Sequence, residues 1–189
     1  MSERSNWLPD ETHMRSAHVA ALGRHLGVAG YDELLALSVA RPDAYWDGAL
    51  NFLGIKWRKR PEGYVDLGRG KQFPRWFPGG ALNWVETVLA FADAPGGAAQ
   101  AAIVAEEEDG SVNRLGYAEL AAAVRRFAAG LAALGIRRGD RVGLLCDNGI
   151  EATVSVLAIA YMGAIVVPLF SGFGEEAILS RLEPSCAKA

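Results

Sequence analysis

The sequence predicts an α/β chain: a helical and irregular N-terminal extension, then the first, incomplete part of a large domain containing a parallel β-α-β unit. Three observations carry this. An amphipathic period runs from Tyr117 to Leu134, two apolar runs (RVGLLC, 141–146, and AIVVPL, 164–169) flank a further helical stretch, and the stretch from Pro9 to about Leu53 lacks period-2 alternation. The expected division is 1–91 for the extension and 92–189 for the start of the larger domain.

From Pro9 to about Leu53 the pattern predicts short helices, broken at Gly30 and at Arg41-Pro42. Between 54 and 80 six glycines and three prolines predict a loop-rich extended segment, ordered by burial of Trp57, Tyr64, Trp76 and Phe77. A helix is expected over Leu82 to Phe91, and the following DAPGG reads as a linker. AAIVAEEE and VNRLGY, joined by DGS, predict a hairpin with its acids at the wet end.

The helix from Tyr117 places Tyr117, Leu120, Ala121, Val124, Phe127, Ala128 and Leu131 on one stripe, and Gly135 is its expected left-handed end. RVGLLC has the continuous apolar centre of a strand covered on both faces. Asn148 and Glu151 stand three apart, the spacing of a capping box, so the next helix is expected to open at Asn148 and run to about Met162. AIVVPL completes a right-handed β-α-β unit, and a last helix is expected from Glu175 to about Leu182. That helix heads toward a strand the sequence does not reach, so the chain is expected to be truncated.

Composition narrows the function. About half the residues are apolar, 22% are charged and the net charge is −3, so the chain is expected to fold and general nucleic-acid binding is disfavoured. Cys146 and Cys186 are far apart and lack neighbouring histidines, which suits reduced thiols and no metal site. The start carries acids and no apolar run after a basic tip, so no export is expected and the location is cytoplasmic. Ala152 to Gly174 is uncharged and long enough to span a bilayer, but Gly163, the β-branched AIVV and Pro168 make it helix, turn and strand; no membrane association is expected.

Phosphate-binding signatures are decided residue by residue. GRGKQ lacks both the first glycine and the Ser or Thr of a Walker loop, since Val65 and Gln72 occupy those places. SGFGEEA sets Gly172, Gly174 and Ala177 in a dinucleotide fingerprint between a predicted strand and helix, so an NAD(P)- or FAD-dependent oxidoreductase fragment stands as an alternative. His13, His18 and His25 are too unevenly spaced to bind metal as a helical pair, and KWRKR reads as a solvated loop face. A non-catalytic interaction module is the other alternative; it would be stable and monomeric alone, whereas an unfinished sheet predicts aggregation or partial unfolding.

Two stretches, in order, carry a resemblance. YDELLALSVARPDAYWDGALNFLGIKW with PRWFPGGALNWVETVL resembles the amino-terminal extension of acetyl-CoA synthetases, and the stretch from Leu115 onward is similar to the first core motifs of the adenylate-forming acyl-CoA synthetases. On this resemblance 92–189 is the truncated start of the adenylation domain, with Gly116 where relatives often carry a Ser or Thr cap. The family activates a small carboxylic acid with ATP and Mg2+, forming an acyl adenylate that the CoA thiolate then attacks. Its Gly-rich Ser/Thr loop, its mobile lysine and its acyl pocket are expected downstream of Ala189, so these 189 residues alone are expected to be inactive and to bind none of ATP, Mg2+ or CoA well. The resemblance places Phe170, Ser171 and Gly172 against the CoA nucleotide, Ser171 standing where acetyl-CoA synthetases carry Gly; core packing of Phe170 is the competing reading.

Overall fold

The computed structural model describes residues 9–188. Packing divides the chain into two compact units, with the boundary between Leu82 and Asn83.

The first unit opens with four helices: α1 (Glu11–Ser16), α2 (His18–Leu26), α3 (Tyr31–Ala40) and α4 (Pro42–Phe52). Their ends follow local chemistry. The Asp10 carboxylate accepts the His13 amide at 2.8 Å to cap α1, Gly27 closes α2 at φ 72°, and Pro42 starts α4 where no backbone N–H is needed. The three histidines are divided between α1 and α2 by the extended Ala17. Two short antiparallel ladders follow, β1 (Trp57–Lys59) with β4 (Ala81–Leu82), and β2 (Val65–Asp66) with β3 (Arg75–Trp76).

Phe77 organises this segment, with ring centroids 5.8–6.1 Å from Trp46, Trp57, Tyr64 and Trp76. Its φ of 52° lies in the left-handed region, which costs a non-glycine residue roughly 1 kcal/mol; four aromatic neighbours, two of them edge to face, offset that. Gly80 follows because a Cβ there would come within 2.9 Å of the Trp57 ring. Of the four aromatics expected to be buried, Trp76 is instead half exposed, on a two-residue strand with one ladder partner.

The second unit begins with α5 (Trp84–Leu89) and a 3-10 turn (Ala90–Asp93). Asn83 caps α5 by accepting the Val85 amide at 3.0 Å, and its side-chain amide donates to the carbonyls of Ala160 and Tyr161. Strands β5 (Ala101–Glu106) and β6 (Val112–Gly116) form the expected hairpin, followed by α6 (Tyr117–Ala133), β7 (Arg141–Leu145), α7 (Ile150–Tyr161), β8 (Ile165–Leu169) and α8 (Glu175–Ser185). β7 and β8 are parallel and paired without a bulge from Arg141↔Ile165 to Leu145↔Leu169. The α/β reading and its β-α-β unit are therefore present. The core gathers Val85 and Leu89 of α5, Leu120, Ala121, Val124 and Ala128 of α6, and Leu157 and Ala158 of α7. A second cluster, Ile136, Val142, Ile159 and Ala164, lies between α7 and the sheet.

Several local expectations are corrected. DAPGG is a run of tight turns: Gly97 N–H donates to Ala94, and the carbonyls of Ala98 and Gln100 accept the Ala118 and Tyr117 amides. Those carbonyls, with Glu119 reaching back to the Gly116 amide at 2.9 Å, satisfy the start of α6, which explains why Gly116 needs no hydroxyl. Helix α7 opens at Ile150 behind Gly149, which leaves Glu151 at the second helical position, one residue short of what a capping box needs. α8 runs to Ser185, three residues past the expected end, with Pro184 in its last turn and Cys186 closing it at φ 49°. The sheet is not covered on both faces, since Leu145 and Ile165 remain 49% and 51% exposed. Phe127, at the edge of the α6 stripe, is also exposed, whereas Gly135 takes its left-handed role at φ 88°.

The amino end of β7 is fastened to the end of α8. Arg141 donates from Nε to the Ser185 carbonyl at 2.7 Å and from Nη2 to Cys186 at 2.9 Å, while its own carbonyl accepts the Lys188 amide at 2.9 Å. Asp140 completes the junction by accepting the Lys188 ammonium at 2.9 Å and the Arg137 amide at 2.7 Å. These bonds, the Lys188 contact first, hold the Asp140 carboxyl below its ordinary value. A lowered carboxylate contributes stability above its unfolded value, about 4, and loses it as pH falls through the folded value. Urea midpoints of the wild-type chain are accordingly expected to fall more steeply below about pH 4 than those of Asp140→Asn. Parallel curves for the two proteins would refute this role.

Candidate functional site at the carboxyl ends of β7 and β8

In a parallel sheet, chain turns, exposed backbone and helix starts converge where the strands end, which is the usual ligand position of open α/β sheets. Here that edge consists of Cys146, Asp147 and Asn148 after β7, and the turn from Phe170 to Gly174 after β8, all exposed except the part-buried Phe173. Leu169, the last residue of β8, is buried and fixes the strand end; Phe170, one step on, is 67% exposed. Solvent, not the core, meets its ring.

The turn is held by its own groups. The Phe173 amide donates to the Phe170 carbonyl at 2.9 Å, and the two rings meet edge to face, 5.6 Å apart at 82°. Gly172 lies under the Phe170 ring: a Cβ there would stand 2.6 Å from Cε1, so a side chain would have to displace the ring. The structure thus sets Phe170, Ser171 and Gly172 on one exposed turn that offers an aromatic face. Sequence reasoning did not single out Arg181, whose guanidinium carbon lies 4.2 Å from the Phe173 ring centroid. No local spacing rule links a turn residue to one eight positions on; only the geometry of α8 does.

The same glycines fit a dinucleotide poorly. A pyrophosphate at the start of α8 would face Glu175 and Glu176 in the first turn, and the Phe170 ring already occupies the space that Gly172 leaves. The carboxylates whose ionisation is shifted, Asp10, Asp109 and Asp140, lie at other positions, with Asp140 at the opposite end of β7.

The chain, a helical, aromatic-rich segment followed in sequence by a parallel β-α-β unit with an exposed turn at its strand ends, matches known proteins along its length. Residues 91–189 match the model of the AMP-binding enzyme family, and residues 31–88 match that of the acetyl-coenzyme A synthetase N-terminus. The chain belongs to the AMP-binding enzyme family. Its resemblance to AMP-forming acyl-CoA synthetases of the acetyl-CoA synthetase type holds over both stretches, and the oxidoreductase and interaction-module alternatives find no support.

Among its relatives, the acetyl-coenzyme A synthetase of Chlorobaculum tepidum is 32% identical over 189 residues, covering 100% of this chain and 27% of that protein. The acetoacetyl-CoA synthetase of Danio rerio is 35% identical over 158 residues, covering 83% of this chain and 23% of that protein. Among solved structures, acetoacetyl-CoA synthetase from Streptomyces lividans superposes with a TM-score of 0.82 at 26% identity, covering 96% of this chain and 29% of that one. The chain thus spans about a quarter of the length of the curated relatives it matches. Among the described residues no helix is long and apolar enough to cross a membrane.

Proposed function

We propose that this chain is the opening portion of an ATP-dependent, AMP-forming ligase that joins a small carboxylic acid to CoA through an acyl adenylate. In this reading residues 1–91 are the extension, 92–189 begin the adenylation domain, and Phe170, Ser171 and Gly172 lie against the CoA nucleotide. The observation that carries it is the two consecutive family matches, which together run from residue 31 to 189 in the order the synthetases have. A cytoplasmic location belongs to the same proposal and fits the free thiols of Cys146 and Cys186.

The chemistry sets what these residues contribute. A carboxylate attacks the α-phosphate of ATP, pyrophosphate leaves, and the CoA thiolate then displaces AMP from the acyl carbon. Two anions must meet in the first step and a large, flexible, charged cosubstrate must be oriented in the second. The turn after β8 suits the second step, because the exposed Phe170 ring can pack on adenine. Mg2+ would assist the first step in the longer enzyme. Among the described residues no three His, Cys, Asp or Glu side chains converge to hold a metal.

The test is a transplant. Grafting this chain in place of the matching portion of the Chlorobaculum tepidum enzyme is expected to give acetyl-CoA from acetate, ATP and CoA, whereas the enzyme without that portion gives none. A graft that melts cooperatively yet forms neither acetyl adenylate nor acetyl-CoA would count against the proposal.

A further inference from the structure

The tip of the β2–β3 hairpin is one-sided in charge. Leu67 to Trp76 holds Arg69, Lys71 and Arg75 and no acid, a charge of +3 in a chain whose net charge is −3. Every residue of that stretch except Gly70 is exposed, Phe73 at 60%. Arg75 is paired with Asp66 at 3.6 Å, whereas Arg69 and Lys71 meet no carboxylate among the described residues. The loop is already shaped: the Asp66 carboxylate accepts the Gly68 amide at 2.8 Å, the Leu67 carbonyl accepts that of Gly70 at 2.8 Å, and the Arg69 guanidinium carbon lies 5.8 Å from the Phe73 ring centroid. A partner therefore meets cations beside apolar side chains at little ordering cost.

The β5–β6 hairpin of the second unit carries the complement. Glu106, Glu107, Glu108 and Asp109 lie at its turn, and Arg114 is the only base between 101 and 116, so the hairpin has a charge of −3. The register sets Val104 opposite Arg114 and Glu106 opposite Val112, and residues two apart share a face, so these four form one side of the hairpin. All four are exposed, Val104 at 57% and Val112 at 42%. The turn is fixed as well, since the Glu107 amide donates to the Ser111 carbonyl at 2.9 Å and the Ser111 amide to the Asp109 carboxylate at 2.8 Å. The Glu106 and Glu108 carboxylates meet no cation among the described residues.

We propose that copies of this chain associate by seating the β2–β3 tip of one on the β5–β6 hairpin of another. Arg69 and Lys71 then meet Glu106 and Glu108, and Leu67 and Phe73 lie on Val104 and Val112. One contact accounts for both patches, matching charge to charge and apolar side chain to apolar side chain. A polyanion or an anionic bilayer would match the tip and leave the hairpin unexplained. The contact is smaller than the roughly 1,000 Å2 of a lasting interface, so association is reversible and sensitive to salt.

The test is sedimentation of the intact 189-residue chain at concentrations up to about 0.5 mM, where weak contacts become populated. Association is expected in about 50 mM salt and should weaken about tenfold in about 500 mM. Arg69→Gln with Lys71→Gln, or Glu106→Gln with Glu108→Gln, should each weaken it about tenfold, the effect of two exposed ion pairs. Phe73→Ser should weaken it alike at both salt concentrations. Mixing the two charge variants is the decisive arm: each keeps the half that the other lacks, so one-to-one pairs should form where either variant alone stays monomeric. Unchanged circular dichroism identifies folded variants. Failure of the mixture to pair overturns the proposal, as does a wild-type chain that is monomeric throughout. A monomer that binds anionic vesicles or heparin through Arg69 and Lys71 overturns it in favour of that partner. Association that strengthens with salt and ignores all four charge substitutions is clumping of apolar surface, and it also overturns the proposal.

Discussion

Val124→Asp is expected to abolish the folded state of the second unit. Val124 is 0% exposed and is surrounded by apolar side chains of α5, α6 and α7, with no donor to meet a carboxylate. Burying an unpaired charge there costs more than about 4 kcal/mol, a large share of the roughly 5–15 kcal/mol by which domains are stable. Far-UV circular dichroism should show lost helix and no cooperative melt. Ala122→Asp, two residues earlier on the exposed face of α6, should cost under about 1 kcal/mol. If both variants melt like the wild type, the three helices do not share this core.

Gly97→Ala is the second large effect. A Cβ at Gly97 would stand 2.0 Å from the Phe91 carbonyl oxygen and 3.1 Å from that of Ala94, both backbone atoms that cannot swing aside. Relief requires the turn to open, and that turn places the Ala98 and Gln100 carbonyls on the first amides of α6. A loss of about 2–4 kcal/mol is expected, read as a lower urea midpoint with the slope unchanged. Gly96→Ala is the control: its φ of 74° strains alanine by roughly 1 kcal/mol, but a Cβ there meets open space. Equal midpoints for the two variants would mean that the contact at Gly97 is not made.

What the sequence made legible were features written in local periods. The α6 stripe, the left-handed Gly135 and the β7-α7-β8 succession each follow from spacing within one element, and the family resemblance supplied the rest of the frame. Features made by partners far apart in the chain were not legible. The clamp of Arg141 on Cys186 joins residues 45 positions apart, and the capping of α6 by Ala98 and Gln100 turns a glycine-rich stretch that reads as a linker into a structural turn. Asn148 and Glu151 show the converse error: their spacing is correct, but the extended Gly149 shifts the helix start and the box cannot close.

At the candidate site the sequence marked the turn but not its support. Phe170, Ser171 and Gly172 were found through resemblance, and the structure sets them on an exposed strand end with Gly172 beneath the Phe170 ring. The guanidinium of Arg181 over Phe173 arises because α8 folds back past the turn it follows. A single arginine among nineteen basic residues carries no sequence mark of that role.

The most direct test of the account maps where CoA touches this chain. In amide NMR spectra recorded with millimolar CoA, shifts are expected to cluster at Phe170 to Gly174 and to vanish in Phe170→Ala. Shifts confined to other surfaces, or shifts at the turn that survive removal of the ring, would contradict it.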